Sequence, residues 1–333
     1  MKPVVWALDA FASIESLDVQ FRTVHAACSH IGDHEESPLN EICQIHPVYV
    51  LSEQVFSDKG YSSFLRPGLL PMARRNLEAI LSHDSLFEFK KSGRLAAPQV
   101  LVEPTANAST CVRRLLDYAH QLEAKFIAVG THARSPILRF FAGSFAETLI
   151  LESSIPVLVV GGLAHESKSK CRTALLPTDF QIEHRRGFET FLNTAGDLNL
   201  DIKLIHKRPE PMDSWRAFSS NDTAFGVGFD ADGLSSDGTE SEAEVWVNLA
   251  RSQGLSAEVI SENFRESTPE AIIEYGSQLP DPTICILSQL SWLNGSILRD
   301  LIRSSPFPIY LKDFGEPTRN RDSLGDGRTS LRW

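Results

Sequence analysis

Residues 125–160 read KFIAVGTHARSPILRFFAGSFAETLILESSIPVLVV. The run FIAVG (126–130) is apolar and ends in Gly130. A loop of twelve residues, 131–142, follows. Gly143-Ser144 then opens a helical pattern over 142–153, and Pro156 leads into the apolar run 156–160. Strand, loop, helix and strand within 36 residues form one βαβ unit, which requires a parallel pair. Both strands are continuously apolar, as expected where helices cover both faces of a sheet.

The same rhythm extends to both sides. Apolar strand runs lie at 4–8, 46–51 and 98–102, with helical patterns near 13–29, 69–91 and 107–122. Beyond residue 170 the order repeats. Strand runs fall at 173–180 (ending in a turn), 201–206, 256–261, 283–288 and 307–312, with helices near 183–197, 241–253, 269–278 and 294–304. Gly143-Ser144 stands 13 residues before Pro156-Val157, and Gly295-Ser296 stands 13 before Pro308-Ile309. The sequence therefore predicts an α/β protein made of two Rossmann-like, flavodoxin-like domains, about 1–163 and 171–313. Each has a five-stranded, mainly parallel sheet with helices on both faces. The polar stretch 162–171 joins them, and 314–333 reads as a flexible tail.

Composition narrows the function. Hydrophobic residues make up 42% of 333 and charged residues 23%, ordinary values for a globular chain. No apolar run reaches the roughly 18 residues of a membrane span. The net charge of −11 argues against DNA and against anionic membrane surfaces. Five scattered cysteines without a Cys-x-x-Cys fit reduced thiols and a cytoplasmic location. Residues 207–240 are rich in Ser, Gly, Asp and Pro and read as a mobile loop; from Asp213 to Glu244 there are eight acidic residues and one basic, Arg216.

The spacing Gly130-x2-Ala133-x9-Gly143-Ser144 and the following Pro-Val-Leu-Val-Val resemble the nucleotide loop of the universal stress protein family, Gly-x2-Gly-x9-Gly-Ser/Thr. ALDAF (7–11) is similar to that family's first strand and its aspartate, here Asp9. The resemblance covers both halves, as in a tandem member with a degenerate second domain. It implies a stress-response role and binding of an adenine nucleotide, ATP first, with AMP or ADP second. It also implies that the Tyr49–Val50 backbone contacts adenine, and that the last strands, 157–160 and 308–311, pair antiparallel within the chain as a pseudo-twofold. A further homodimer of chains is left open.

The loop's chemistry can be argued separately. A parallel sheet opens its crevice at the carboxyl ends of the strands, where chain order reverses. Glycine at 130 permits positive φ and a close backbone approach. Amides of Gly143, Ser144 and Phe145 at a helix N-terminus favour a phosphate. Thr131, His132 and Arg134 line the loop, with Arg139 adding charge. Asp9 suits ribose hydroxyls or a Mg²⁺ ion carried by the phosphates. Ala133 stands where the resembled motif has its second glycine, and a methyl group there strains a positive φ or crowds the ligand.

In the second half PTDF (177–180) keeps the aspartate, Asp179, but only six residues (289–294) precede Gly295. A cradle of that type cannot be built from so short a loop. The rival to nucleotide binding is an interaction module whose two sites have both decayed, acting through a protein partner. His25, Cys28, His30, His34, Cys43 and His46 are zinc-type ligands, yet they lack compact paired spacing and read as a solvated histidine-rich connection. No nucleophile elbow and no Gly-Lys-Ser/Thr P-loop is present, so at most slow ATP hydrolysis is expected.

Overall fold

The computed structural model describes residues 2–12, 14–29, 43–52, 66–105, 107–131, 139–164, 171–178, 180, 182–198, 200–207, 236–262, 268–287 and 295–312. The strands are β1 (Lys2–Ala7), β2 (Cys43–Ser52), β3 (Gln99–Glu103), β4 (Ile127–Gly130), β5 (Val157–Val160), β6 (Thr173–Pro177), β7 (Asp201–Lys207), β8 (Ala257–Glu262), β9 (Pro282–Leu287) and β10 (Ile309–Lys312). The helices are α1 (Ile14–Ser29), α2 (Arg66–Leu81), α3 (Phe87–Lys91), α4 (Ala108–Gln121), α5 (Arg139–Glu152), α6 (Arg185–Leu198), α7 (Ser236–Ser252), α8 (Thr268–Gly276) and α9 (Gly295–Ser304). Short 3₁₀ turns at Asp84–Leu86 and Ile182–His184 precede α3 and α6.

All ten strands form one sheet in the order β3-β2-β1-β4-β5-β10-β9-β6-β7-β8. Each neighbour pair is parallel except β5 with β10, which run antiparallel with Val157, Leu158 and Val159 opposite Leu311, Tyr310 and Ile309. The fold is thus a mixed α/β sheet, largely parallel and flanked by helices. The order of the first five strands recurs, mirrored, in the last five. β4, β5, β6 and β9 carry buried apolar side chains on nearly every residue, the pattern of strands covered on both faces.

Local hydrogen bonds repeat as well. The Ser153 hydroxyl both donates to Ile155 O and accepts from Ile155 N–H, and Ser305 does the same with Phe307. Each bond fixes the short turn that leads from a helix into the last strand of its half. The Asn107 side chain accepts from Ser109 N–H and so caps α4.

Three sequence expectations change. The helix read over 69–91 is broken after Leu81, where the His83 side chain accepts from Ser85 N–H and starts a new turn. The segment read as loop up to 240 is helical from Ser236, the start of α7; residues 208–235 lie outside the described residues, as do 314–333. The helix read from 142, with Gly143-Ser144 at its opening, begins instead at Arg139.

The two halves meet at a buried seam. Leu158, Val159, Ile309 and Tyr310 are 0%, 0%, 1% and 7% exposed, and the Phe126 ring meets Tyr310 edge-on with centroids 6.5 Å apart. Arg22 of α1 donates to Ala164 O and Gly162 O, which ties the chain leaving β5 back onto α1. Among the described residues no helix is long and apolar enough to cross a membrane.

The described thiols sit deep in this core. Burial pushes Cys111 and Cys171 up to about 11, and Cys285 well above its ordinary value. A thiol whose folded pKa exceeds its unfolded value stabilises the fold fully below the unfolded value near 9 and loses that contribution as pH rises through about 11. Urea midpoints are therefore expected to fall between pH 9 and 11, on the order of 2 kcal/mol per thiol. A flat midpoint across that window would refute the assignment. Cys171→Ala is expected to make the decline shallower.

Candidate functional site

The chain order reverses between β1 and β4, because the connections from β1 run outward to β2 and β3 while the next strand returns to the other side of β1. The carboxyl ends of these two strands are where a doubly wound sheet opens its crevice. The β1–β2 ladder ends at Ala7 opposite Val48, with Leu8 N–H donating to Val48 O (3.0 Å). Tyr49, Val50, Leu51 and Ser52 continue beyond that rung, paired with β3 on their other side. The backbone edge of Tyr49 and Val50 on the β1 side therefore faces the crevice rather than a strand.

Asp9 sits at the head of this crevice. Its N–H donates to Gln20 Oε1 (3.1 Å), and Gln20 Nε2 donates to Asp9 O (3.3 Å). Asp9 Oδ1 accepts from Phe11 N–H (2.9 Å), which turns the chain off the strand. The Phe11 ring meets the Tyr49 ring edge-on at 5.8 Å. Burial holds the Tyr49 phenol well above its ordinary value, and the negative charge of Asp9 adds to the effect. Beneath them lies a polar cluster: the Ser52 hydroxyl donates to Thr105 O (2.5 Å), and Thr105 Oγ1 donates to Glu103 Oε1 (2.8 Å).

Gly130 ends β4 on the opposite lip. Its backbone φ lies outside the left-handed region, unlike Gly93 and Gly254. A Cβ at 130 would instead stand 2.8 Å from Thr23 Oγ1 and 3.2 Å from Val19 Cγ1. Of the two uses expected for glycine here, positive φ is not taken up, while close approach is: α1 packs so tightly on the end of β4 that an added methyl group would press on Thr23 and Val19. The Thr131 N–H donates to Val160 O (2.8 Å) and its side chain is buried, so that amide serves the sheet.

His132, Ala133 and Arg134 lie outside the described residues. Because α5 starts at Arg139, Gly143, Ser144 and Phe145 fall in its second turn. There an amide donates to the carbonyl four residues earlier, whereas the unpaired donors belong to the first turn. The run Arg139-Phe140-Phe141-Ala142 contains no helix breaker, which lets the helix extend back past the glycine. The structure places Asp9, Tyr49, Val50, Gly130 and Thr131 at the carboxyl ends of β1, β2 and β4, and sets Gly143, Ser144 and Phe145 inside a helix.

The second half builds the same strand frame and packs aromatic rings beside it. Thr178 N–H donates to Ile205 O (2.8 Å), as Leu8 does to Val48, which puts His206 where β2 has Tyr49. Phe180, at φ +55° and 3% exposed, has its ring 5.3 Å from His206 and 5.5 Å from Trp246. Trp246 stacks in turn on Phe188 (4.4 Å). Asp179 and residues 288–294 lie outside the described residues. His25 rests edge-on against Phe89, and the His46 ring pairs with Gln44 Oε1. No group of three or more metal-type ligands occurs among the described residues, and His30 and His34 lie outside them.

Sequence reasoning missed Val19, Gln20 and Thr23. The one signal was a glutamine set directly between two apolar residues, Val19 and Phe21, in the helical pattern.

Comparison with known proteins agrees with the frame. Residues 40–161 match the universal stress protein family. No functionally curated protein matches the chain. A universal stress protein from Archaeoglobus fulgidus DSM 4304 superposes with a TM-score of 0.52 at 17% identity, over 94% of this chain and 97% of its own. A second structure, the universal stress protein from Archaeoglobus fulgidus in complex with dAMP, gives a TM-score of 0.29 at 17% identity over 42% of this chain and 96% of its own. The first of these establishes a shared fold over nearly the whole length.

Proposed function

We infer from the place of residues 40–161 in the universal stress protein family that the first half of the chain binds an adenine nucleotide, with ATP as the first choice over AMP or ADP. The observation that carries this reading is the strand-order reversal between β1 and β4, at which Asp9, the stretch Tyr49–Val50 beyond the last β1–β2 rung and the end of β4 come together. Asp9 takes the ribose hydroxyls or a Mg²⁺ ion. Its single carboxylate suits Mg²⁺, which takes one or two carboxylates and completes its shell with phosphate oxygens and water. The Tyr49–Val50 backbone takes adenine. Gly130, Thr131, His132, Ala133 and Arg134 lead the chain around the phosphates toward Gly143, Ser144 and Phe145.

This reading requires α5 to open at Gly143 when nucleotide is bound, so that three amides now paired within the helix turn to the phosphates. Unwinding the turn 139–142 then alters the surface at this end of the protein, which is the signal offered to a protein partner in a cytoplasmic stress response. We read the halves as two domains, 1–163 and 171–313, paired about a pseudo-twofold at the β5–β10 seam, with the second domain supporting rather than binding.

A nucleotide-free interaction module is the second reading. It is favoured by the start of α5 at Arg139 and by the engaged Thr131 amide. Acid extraction of the purified protein separates the two. An adenine nucleotide in the extract, or retained through gel filtration after incubation with ATP and Mg²⁺, is expected. Absence of nucleotide in both experiments would leave the interaction module.

A further inference from the structure

One turn of α1 touches both lips of the crevice. Gln20, 2% exposed, bonds to the N–H and to the C=O of Asp9 at once. Val19 and Thr23, on either side of it, are the atoms against which Gly130 is packed. The Thr23 hydroxyl donates to Val19 O (2.7 Å), so it is turned inward along the helix. A buried amide side chain that bonds both the N–H and the C=O of one residue holds the two peptide groups flanking that residue's Cα and so fixes its backbone. From that backbone, the Asp9 carboxylate is aimed by its bond to Phe11 N–H.

We propose that Gln20 is a positioning residue of the nucleotide site: through the Asp9 backbone it sets where the Asp9 carboxylate meets the ribose, and the packing of Val19 and Thr23 on Gly130 sets how that carboxylate stands to the end of β4. The inference rests on the nucleotide reading above, with Asp9 on the ribose hydroxyls. It assigns the ribose specificity of the site to a residue that touches no ligand. A carboxylate that swings by about 1 Å forfeits most of a hydrogen bond to a hydroxyl. Loss of the clamp therefore falls on the sugar and not on the phosphates.

The test uses the full chain and two probes, ATP and 2′,3′-dideoxy-ATP, each titrated with Mg²⁺. The wild type is expected to prefer ATP by about tenfold, the value of a hydrogen bond to a charged group. Gln20→Leu is expected to weaken ATP about tenfold, leave dideoxy-ATP nearly unchanged and bring the ratio close to one. A uniform loss on both probes would mark mere structural damage and overturn the inference, as would an unchanged ratio. Gln20→Glu keeps the length and the acceptor for Asp9 N–H but not the donor, and it is expected to fall between the two. If Gln20→Leu does not fold, the ratio from Gln20→Glu decides. If neither variant folds, Gln20 belongs to the core alone and the inference fails. A wild type that binds neither probe refutes the nucleotide reading itself, an outcome visible before any variant is made.

Discussion

Val159→Asp is expected to destabilise the protein by about 5 kcal/mol, enough to unfold a domain of ordinary stability. Val159 is 0% exposed, lies in β5 between β4 and β10, and faces Ile309 across the antiparallel seam. A carboxylate there must lose its hydration or take up a proton, and the lost apolar contact adds to the cost. Because β5 and β10 are central strands of a single sheet, the damage is shared. Hydrogen exchange followed peptide by peptide should show β4 and β9 losing protection together, together with a lowered urea midpoint. Loss of protection confined to residues before 164 would show that the halves are held independently.

Gly130→Ala is expected to cost about 1 to 3 kcal/mol, because the added methyl group stands 2.8 Å from Thr23 Oγ1 and no backbone strain is relieved. Thr23→Ala in the same chain removes the atom in the way. The double variant should therefore recover a large part of the loss, leaving the closer fit to Val19 Cγ1 at 3.2 Å. The comparison is made by urea midpoint with all four members of the cycle. Simple additivity would mean that Gly130 is required by something other than α1.

Much of the architecture can be read from residues alone. The unbroken apolar runs at 126–130, 156–160 and 283–288 announce strands buried on both faces, and the repeated Gly-Ser spacing announces two like halves. The site is less legible, for reasons of distance along the chain. Whether a glycine such as Gly130 is needed for its φ or for clearance depends on Val19 and Thr23, more than 100 residues earlier, and nothing local records that contact. Gly143 looks like a helix start because glycine is a poor helix interior residue, yet Arg139 to Ala142 carry no capping side chain or breaker to stop the helix from growing past it. Phe180 reads as part of a strand-and-turn motif. Only the position of Trp246, supplied by α7, turns it into a core ring packed edge-on against that indole.

The central claim is that one crevice, the one headed by Asp9, binds nucleotide and the other does not. Isothermal titration of the full chain with ATP and Mg²⁺ tests it most directly, with Asp9→Ala alongside. One ATP per chain, weakened at least about tenfold by Asp9→Ala, is the predicted result. No heat at millimolar ATP, or two equivalents bound with an affinity that Asp9→Ala leaves untouched, would contradict it.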